Sequence, residues 1–292
     1  MTAIFIYSKM NFMKRIQNYK NNVVVTGAGG GMGKKVCALL AENGYHVFAL
    51  DINSPLFQNE NITPISCDVT DADSLLTAKE KIYAYGRLDA IINLAGVFSM
   101  DSIVFGDEQK LRKIFEVNFW GVYLTNKIFF DILENNAKII VMSSEVARYS
   151  PHPFDAYYTL PKKSLDAYCD AFRRECLFLN VRVIKIQAGS FATNMTIKAA
   201  KEFETLKNSS PAFDEVLTAF DRFVGKELSK GKKTDVIAQM ILKIMQSPRP
   251  KICYRVHNSR KLKLINMLPE KTQDQLYKIT AKLFGKSRKT KS

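Results

Sequence analysis

Histidine is scarce in this chain: three in 292 residues, His46, His152 and His257, far apart in sequence. The five cysteines are odd in number and fit no metal-ligand spacing. No zinc site is expected, and the thiols read as reduced, in a cytosolic setting. No apolar run approaches the roughly 18 residues of a membrane span. Ala3-Ile4-Phe5-Ile6-Tyr7 is too short for a signal h-region and lacks a small-residue cleavage site, so residues 1–20 read as a loose extension. Acidic residues are the minority: 28 Asp and Glu against 43 Lys and Arg, a formal net charge of +15. The imbalance is local. From Arg249 to the end there are 13 Lys and Arg against Glu270 and Asp274, while the rest is nearly balanced.

What is present is organised around Val23-Val24-Val25-Thr26-Gly27-Ala28-Gly29-Gly30-Gly31-Met32-Gly33. Three β-branched residues in a row suit a strand covered on both faces. The glycines allow a sharp turn and close approach of a ligand. Val36, Leu39 and Leu40 then fall on one face of a helix over 34–43, stopped by Gly44. Strand, glycine turn and helix N-terminus together hold a dinucleotide pyrophosphate. Further strands are expected at 46–50, 62–66, 88–94, 138–142, 181–187 and 251–256. Helices are expected at 71–85, with Leu75, Leu76 and Ile82 inward, at 107–135 and at 155–179. The alternation predicts an α/β fold, a doubly wound, Rossmann-like parallel sheet of about seven strands. It divides into the extension 1–20, a single nucleotide-binding and catalytic domain 21–256, and a basic helical tail 257–292. Ligand sites then lie at the carboxyl ends of the strands.

Asp51 ends the second strand. An acid there bonds the adenosine ribose hydroxyls and repels a 2′-phosphate, favouring NAD over NADP. Tyr158 and Lys162 share one helix face. An ammonium near a phenol favours phenolate and draws its pKa down from about 10. Such a tyrosine exchanges a proton with an alcohol while hydride moves to or from nicotinamide. Tyr123 and Lys127 repeat the spacing. Ser144, 14 residues before Tyr158 at the end of a strand, marks the first pair as the reactive one, since Tyr123 has no such serine.

The pattern Thr26-Gly27-x-x-x-Gly31-x-Gly33, with the Ser-Tyr-Lys set, resembles the short-chain dehydrogenase/reductase family over residues 20–256. The resemblance implies that Gly27, Gly31, Met32 and Gly33 cradle the pyrophosphate. It implies that Asp68 and Val69 bracket the adenine, and that Asn93, Ala95 and Gly96 lie beside the cofactor. Leu94 departs from the family pattern. Tyr158 is implied as acid/base, Lys162 as its tuner and ribose ligand, and Ser144 (rather than Ser143, by family spacing) as the group orienting the substrate oxygen. Asn118 is implied to bind a relay water. Thr193, in a segment where Ala188 replaces the family proline, is implied to hold the carboxamide. Pro161 lies inside the catalytic helix, where the family has a small residue, and there it removes an N–H and strains the helix.

Residues 247–269 resemble the tail of the retinol and 17β-hydroxysteroid dehydrogenase branch. The implied substrate is a small apolar alcohol or ketone, steroid, retinoid or lipid-like, and the implied assembly is a homo-oligomer. Phe203, Leu206, Phe213, Leu217, Phe220 and Phe223 read either as an apolar pocket lid or as helix packing alone. In the tail, Leu276, Ile279, Leu283 and Phe284 share a face flanked by Lys271, Lys278 and Lys282. That face either packs on the body or makes a peripheral membrane contact. Two other readings stand beside the enzyme: a non-catalytic NAD-binding or scaffolding protein, and a nucleic-acid binder acting through the tail. The intact Ser-Tyr-Lys-Asn set argues against the first, and the expected partners exclude nucleic acid.

Overall fold

The computed structural model describes residues 21–53, 56–191, 194–209, 211–228 and 234–284. Seven parallel strands form one sheet in the order β3-β2-β1-β4-β5-β6-β7. They are β1 Asn22–Thr26, β2 His46–Asp51, β3 Ile62–Ser66, β4 Leu88–Asn93, β5 Leu133–Ser144, β6 Arg182–Ala188 and β7 Cys253–Val256. The order reverses between β1 and β4, which opens a crevice at their carboxyl ends. Val23, Val24 and Val25 are fully buried because the sheet is covered on both faces.

The helices are α1 Gly31–Glu42, α2 Ala72–Tyr83, α3 Glu108–Phe115, α4 Gly121–Phe129, α5 Ala156–Cys176, α6 Asn194–Ser209, α7 Asp214–Leu228, α8 Asp235–Gln246, α9 Arg260–Ile265 and α10 Glu270–Phe284. One apolar core joins α1 and α8 to the sheet through Val36, Leu40, Ile237 and Ile241. The opposite core joins α2, α4 and α5 through Leu75, Ile82, Val122, Phe129 and Leu165. Asp71 and Asp107 cap α2 and α3 by accepting from Asp73 and Gln109 N–H.

Several expectations needed correction. The single helix over 107–135 is instead α3, a π-turn Glu116–Trp120, α4 and a 3₁₀ turn Phe130–Ile132. Periodicity alone does not register the π-turn, since its single extra residue leaves apolar positions on both sides in plausible phase. β5 begins at Leu133, pairs with Leu88, and resumes regular register at Lys138 after a shift. Leu76 points outward at 46% exposure, and Ala78 takes the inward place. α5 ends at Cys176, leaving Leu177, Phe178 and Leu179 exposed. α1 begins at Gly31, three residues earlier than periodicity indicated, because glycine carries no apolar signal.

The tail forms two helices, with α10 packed along α7. It packs through Gln273 and Tyr277, while Leu276, Ile279 and Leu283 face outward. The apolar stripe is therefore not the packed face. Residues 1–20, Thr193 and residues 285–292 lie outside the described residues, as do the side chains of Phe223 and Phe284.

Candidate active site

The glycine turn is shaped by contacts that leave no space for side chains. Gly27 has φ +68°, and a Cβ there would sit 2.7 Å from the Ala95 backbone. A Cβ on Gly33 would lie 2.1 Å from the Gly27 carbonyl oxygen. Gly31 meets nothing within 4 Å. Thr26 Oγ1 accepts from the N–H of Leu94 and Ala95 at 3.2 and 3.3 Å, joining the turn to the segment after β4. No side chain caps α1, and its first residue, Gly31, is exposed, so the positive end of the helix dipole is left uncovered by any capping side chain.

Asp51 stands at the rim of this turn. Its Oδ2 accepts from Gly29 N–H at 2.9 Å and its Oδ1 from Asn53 N–H at 3.1 Å. With Gly29, Gly30, Lys34 and Leu56 it lines a hollow of about 510 Å³. Asp68 Oδ1 accepts from Thr70 N–H and Oγ1 at 2.9 and 2.7 Å, a local turn. Val69 is buried, and a Cβ on Gly121 would strike it at 2.7 Å. The Asn93 side chain is turned away from the crevice: its Nδ2 donates to Asn126 Oδ1 at 2.9 Å, and Asn126 Nδ2 donates to the Tyr168 hydroxyl. Backbone is what this segment offers a cofactor, at Leu94, Ala95 and Gly96.

The carboxyl end of β5 meets the start of α5 beside this crevice. The Lys162 side chain is buried; its Nζ donates to the Met142 carbonyl at 3.0 Å and lies 5.8 Å from the Tyr158 ring centroid. α5 continues through Pro161 unbroken. Ser144 Oγ donates to the Ala188 carbonyl at 3.4 Å and also lies against the Tyr158 phenol. Ser143 is committed elsewhere, donating to Asp166 Oδ1 at 2.6 Å in a cluster with Lys185 and Gln187. Lys127 lies 5.7 Å from the Tyr123 ring, nearly the same internal geometry as Lys162 and Tyr158. Spacing thus does not distinguish the two pairs; Tyr123 packs with Trp120 and Tyr168 on the outer side of α4.

Burial pushes the Tyr158 phenol up to about 12, while Ser144 acts downward and Asp155 upward. Burial also brings the Lys162 ammonium down to about 8, against Cys169 and Asp166. The expectation that Lys162 draws the phenol down is not met by the protein's own groups. Desolvation is the largest cause, and the Lys162 ammonium is itself desolvated and turned toward a carbonyl.

Asn118 lies in the π-turn, fully buried. Its Oδ1 accepts from Val97 N–H and its Nδ2 donates to the Val97 carbonyl, both at 2.8 Å. The amide clasps the loop after β4 with both of its ends. Three residues at the site carried no legible signal in the sequence, and a fourth, Asp155, was legible only as the residue before a helix. The Phe98 ring lies 5.0 Å from that of Tyr158. Val97 contributes only its backbone. Tyr157 donates to the Asp107 carbonyl at 3.0 Å.

Burial pushes Asp155 up to about 7, against a 2.8 Å hydrogen bond from Thr159 Oγ1. An unfolded aspartate titrates near 3.9. The folded state therefore holds the proton more tightly, and stability falls as pH rises from about 4 to about 7. Asp155→Asn should lose this component of the pH dependence. Thermal midpoints of both proteins across that range test it, and parallel curves would count against the assignment.

The fold belongs to the doubly wound dinucleotide-binding class, and its crevice has an acid and an open helix N-terminus where that class places its ligand. The short chain dehydrogenase model matches residues 21–204, and the chain belongs to that family. It is 29% identical to a probable short-chain type dehydrogenase/reductase VdlC of Helicobacter pylori, over 88% of this chain and 96% of that one. It is 28% identical to an NADPH-dependent 1-acyldihydroxyacetone phosphate reductase of Saccharomyces cerevisiae, covering 83% of this chain and 85% of that one. A 3-ketoacyl-(acyl-carrier-protein) reductase from Brucella melitensis, solved with NADH, shares the fold with a TM-score of 0.66 at 18% identity, covering 82% and 98% of the two chains. The protein is an NAD(P)-dependent oxidoreductase acting on alcohol or carbonyl groups. No described helix is long and apolar enough to cross a membrane, and no described group of three ligating side chains could hold a metal.

Proposed function

We propose that the protein transfers hydride between NAD and an apolar, lipid-like secondary alcohol or ketone, within the range of steroids, retinoids and long-chain compounds. The observation that carries the chemistry is the convergence of Ser144, Tyr158 and Lys162 at the crevice where the open N-terminus of α1 also ends. The residues present fit a dinucleotide: Gly31 leaves space at the helix N-terminus, Gly27 and Gly33 let backbone approach backbone, and Asp51 sits where ribose hydroxyls are bonded. Gly27, Gly31, Met32 and Gly33 would hold the pyrophosphate, Asp68 and Val69 the adenine, and the 93–96 backbone with Thr193 the nicotinamide end. Nicotinamide supplies the hydride-carrying carbon.

Tyr158 gives or takes the proton of the substrate oxygen, which Ser144 orients. Lys162, held by the Met142 carbonyl, bonds the ribose and feeds the proton path. Asn118 fixes the loop beside Lys162: a Cβ on Gly96 would lie 3.0 Å from its Oδ1 and 3.8 Å from Lys162 Nζ. The apolar substrate is supported by Phe98 beside Tyr158, while the apolar residues of α6 and α7 pack among themselves rather than line a pocket. There Phe154, Phe203, Leu206 and Leu217 form a small core of their own with Met100, Phe213 and Phe220. The tail's likeness to the retinol and hydroxysteroid dehydrogenase branch and the acylated substrate in the yeast relative's name point the same way. The assembly is read as a homo-oligomer and the setting as cytoplasmic.

NAD is preferred in this reading because the Asp51 carboxylate is pinned by two backbone N–H groups at the ribose position. Lys34 lines the same hollow, which favours a second reading with NADP, as in the yeast relative's name. Steady-state rates with each cofactor over a panel of steroids, retinoids and long-chain ketones decide. The wild type should use NAD with the higher kcat/KM, and Asp51→Ala should narrow the gap by roughly tenfold, about the 1.4 kcal/mol of one lost charge-assisted bond. Equal use of both cofactors by the wild type would sink the preference, and no turnover on any compound would favour the binding-protein alternative.

A further inference from the structure

We propose that α9 and α10 form a docking surface for an anionic phospholipid bilayer. On α10, Leu276, Ile279 and Leu283 are 41%, 50% and 69% exposed. At 100° per residue they span an arc of roughly 60°. Lys271, Lys278 and Lys282 occupy an arc of roughly 40° on one side of it. On the other side Gln273, itself buried, and Tyr277 turn toward the body. The order around the helix is thus body, apolar stripe, lysine row. A helix lying in a membrane interface has this arrangement, with its apolar side chains in the acyl boundary and its cations at the headgroups.

α9 continues the surface. Leu264 is exposed, as are Met267 and Leu268 just beyond it, and so are Arg260, Lys261 and Lys263. None of Lys261, Lys263, Lys271, Lys278 and Lys282 has an ion-pair partner among the described residues. Apolar side chains beside unpaired cations match a surface that is anionic outside and apolar within.

The surface is held rigidly to the substrate end of the molecule. Ser259 N–H donates to Glu145 at 2.6 Å, and Asn266 Oδ1 accepts from Ser150 N–H at 2.7 Å. The Tyr277 hydroxyl bonds His152 Nδ1, and its ring lies 6.0 Å from Phe220 of α7. Residues 145–152 lead from Ser144 into α5. Docking would therefore place the α7 side against lipid, but the docking itself does not rest on the proposed substrate.

The test is co-sedimentation of the full chain with vesicles of phosphatidylcholine alone and of phosphatidylcholine containing about one-third phosphatidylglycerol. The wild type should sediment with the anionic vesicles at low salt, and its partition coefficient should fall about tenfold or more at high salt. Leu276→Ser/Ile279→Ser/Leu283→Ser should lower it about tenfold while the protein still unfolds in one cooperative thermal transition. Lys271→Ser/Lys278→Ser/Lys282→Ser serves as a second variant and should also weaken binding. Wild-type protein left in the supernatant, or variants that sediment like the wild type, would overturn the proposal. So would a wild-type dimer that ignores vesicles and becomes monomeric in the leucine variant.

Discussion

Tyr158→Phe is expected to lower kcat/KM by roughly 10²- to 10⁴-fold, the range for loss of a positioned acid or base. The substitution keeps the ring, and with it the packing against Phe98 at 5.0 Å between centroids. It removes only the hydroxyl beside Ser144. A buried phenol pushed up to about 12 also means that the free protein holds the proton, so catalysis in the oxidation direction should gain strongly with rising pH. Tyr123→Phe is the matched control, because Lys127 stands over Tyr123 much as Lys162 stands over Tyr158. It should leave the rate within about twofold, as a conservative change on a packed face. Steady-state kinetics on both variants read the contrast, and a collapse in Tyr123→Phe with a healthy Tyr158→Phe would mean that the wrong pair has been assigned.

Gly33→Ala is expected to be as damaging by another route. Its methyl carbon would lie 2.1 Å from the Gly27 carbonyl and 2.7 Å from the Ala28 Cα, so the turn must open. Because the obstructing atoms are backbone, relief costs about 1–3 kcal/mol or more of stability and distorts the anion-facing N–H groups. Gly31→Ala offers the comparison. Nothing lies within 4 Å of its methyl, so the fold should keep its thermal midpoint within a few degrees. Dinucleotide affinity, read by calorimetry, should still fall, since the added methyl stands at the helix N-terminus that the pyrophosphate approaches. Tight binding by Gly33→Ala, or a Gly31→Ala variant that unfolds, would contradict this account of the turn.

Much of this was legible because buried parallel strands announce themselves. Val23-Val24-Val25 and the runs at Phe48, Ile91 and Ile139 suited strands covered on both faces, and glycines marked where the chain had to turn. The candidate site was legible through residue types with chemical meaning at strand ends. What escaped was geometry that residue type does not encode. The π-turn around Asn118 arises from an extra residue per turn and has no compositional mark. Asn93 and Asn118 are the same residue type at neighbouring places, yet one ties α4 to β4 and the other clasps Val97. The tail's apolar stripe was visible as a periodicity, but which arc faced the body was decided by Tyr277 finding His152 and Phe220, contacts remote in sequence.

The clasp at Val97 has a thermodynamic consequence. A loop at a ligand site usually loses conformational freedom when the ligand arrives, and that loss subtracts from affinity. Here one carboxamide saturates both the N–H and the carbonyl of Val97, and Thr26 holds the N–H groups of Leu94 and Ala95. The entropy of residues 94–97 is given up during folding, and the stability of the whole sheet absorbs it. Ligand binding at this wall of the crevice then proceeds against a surface that is already ordered.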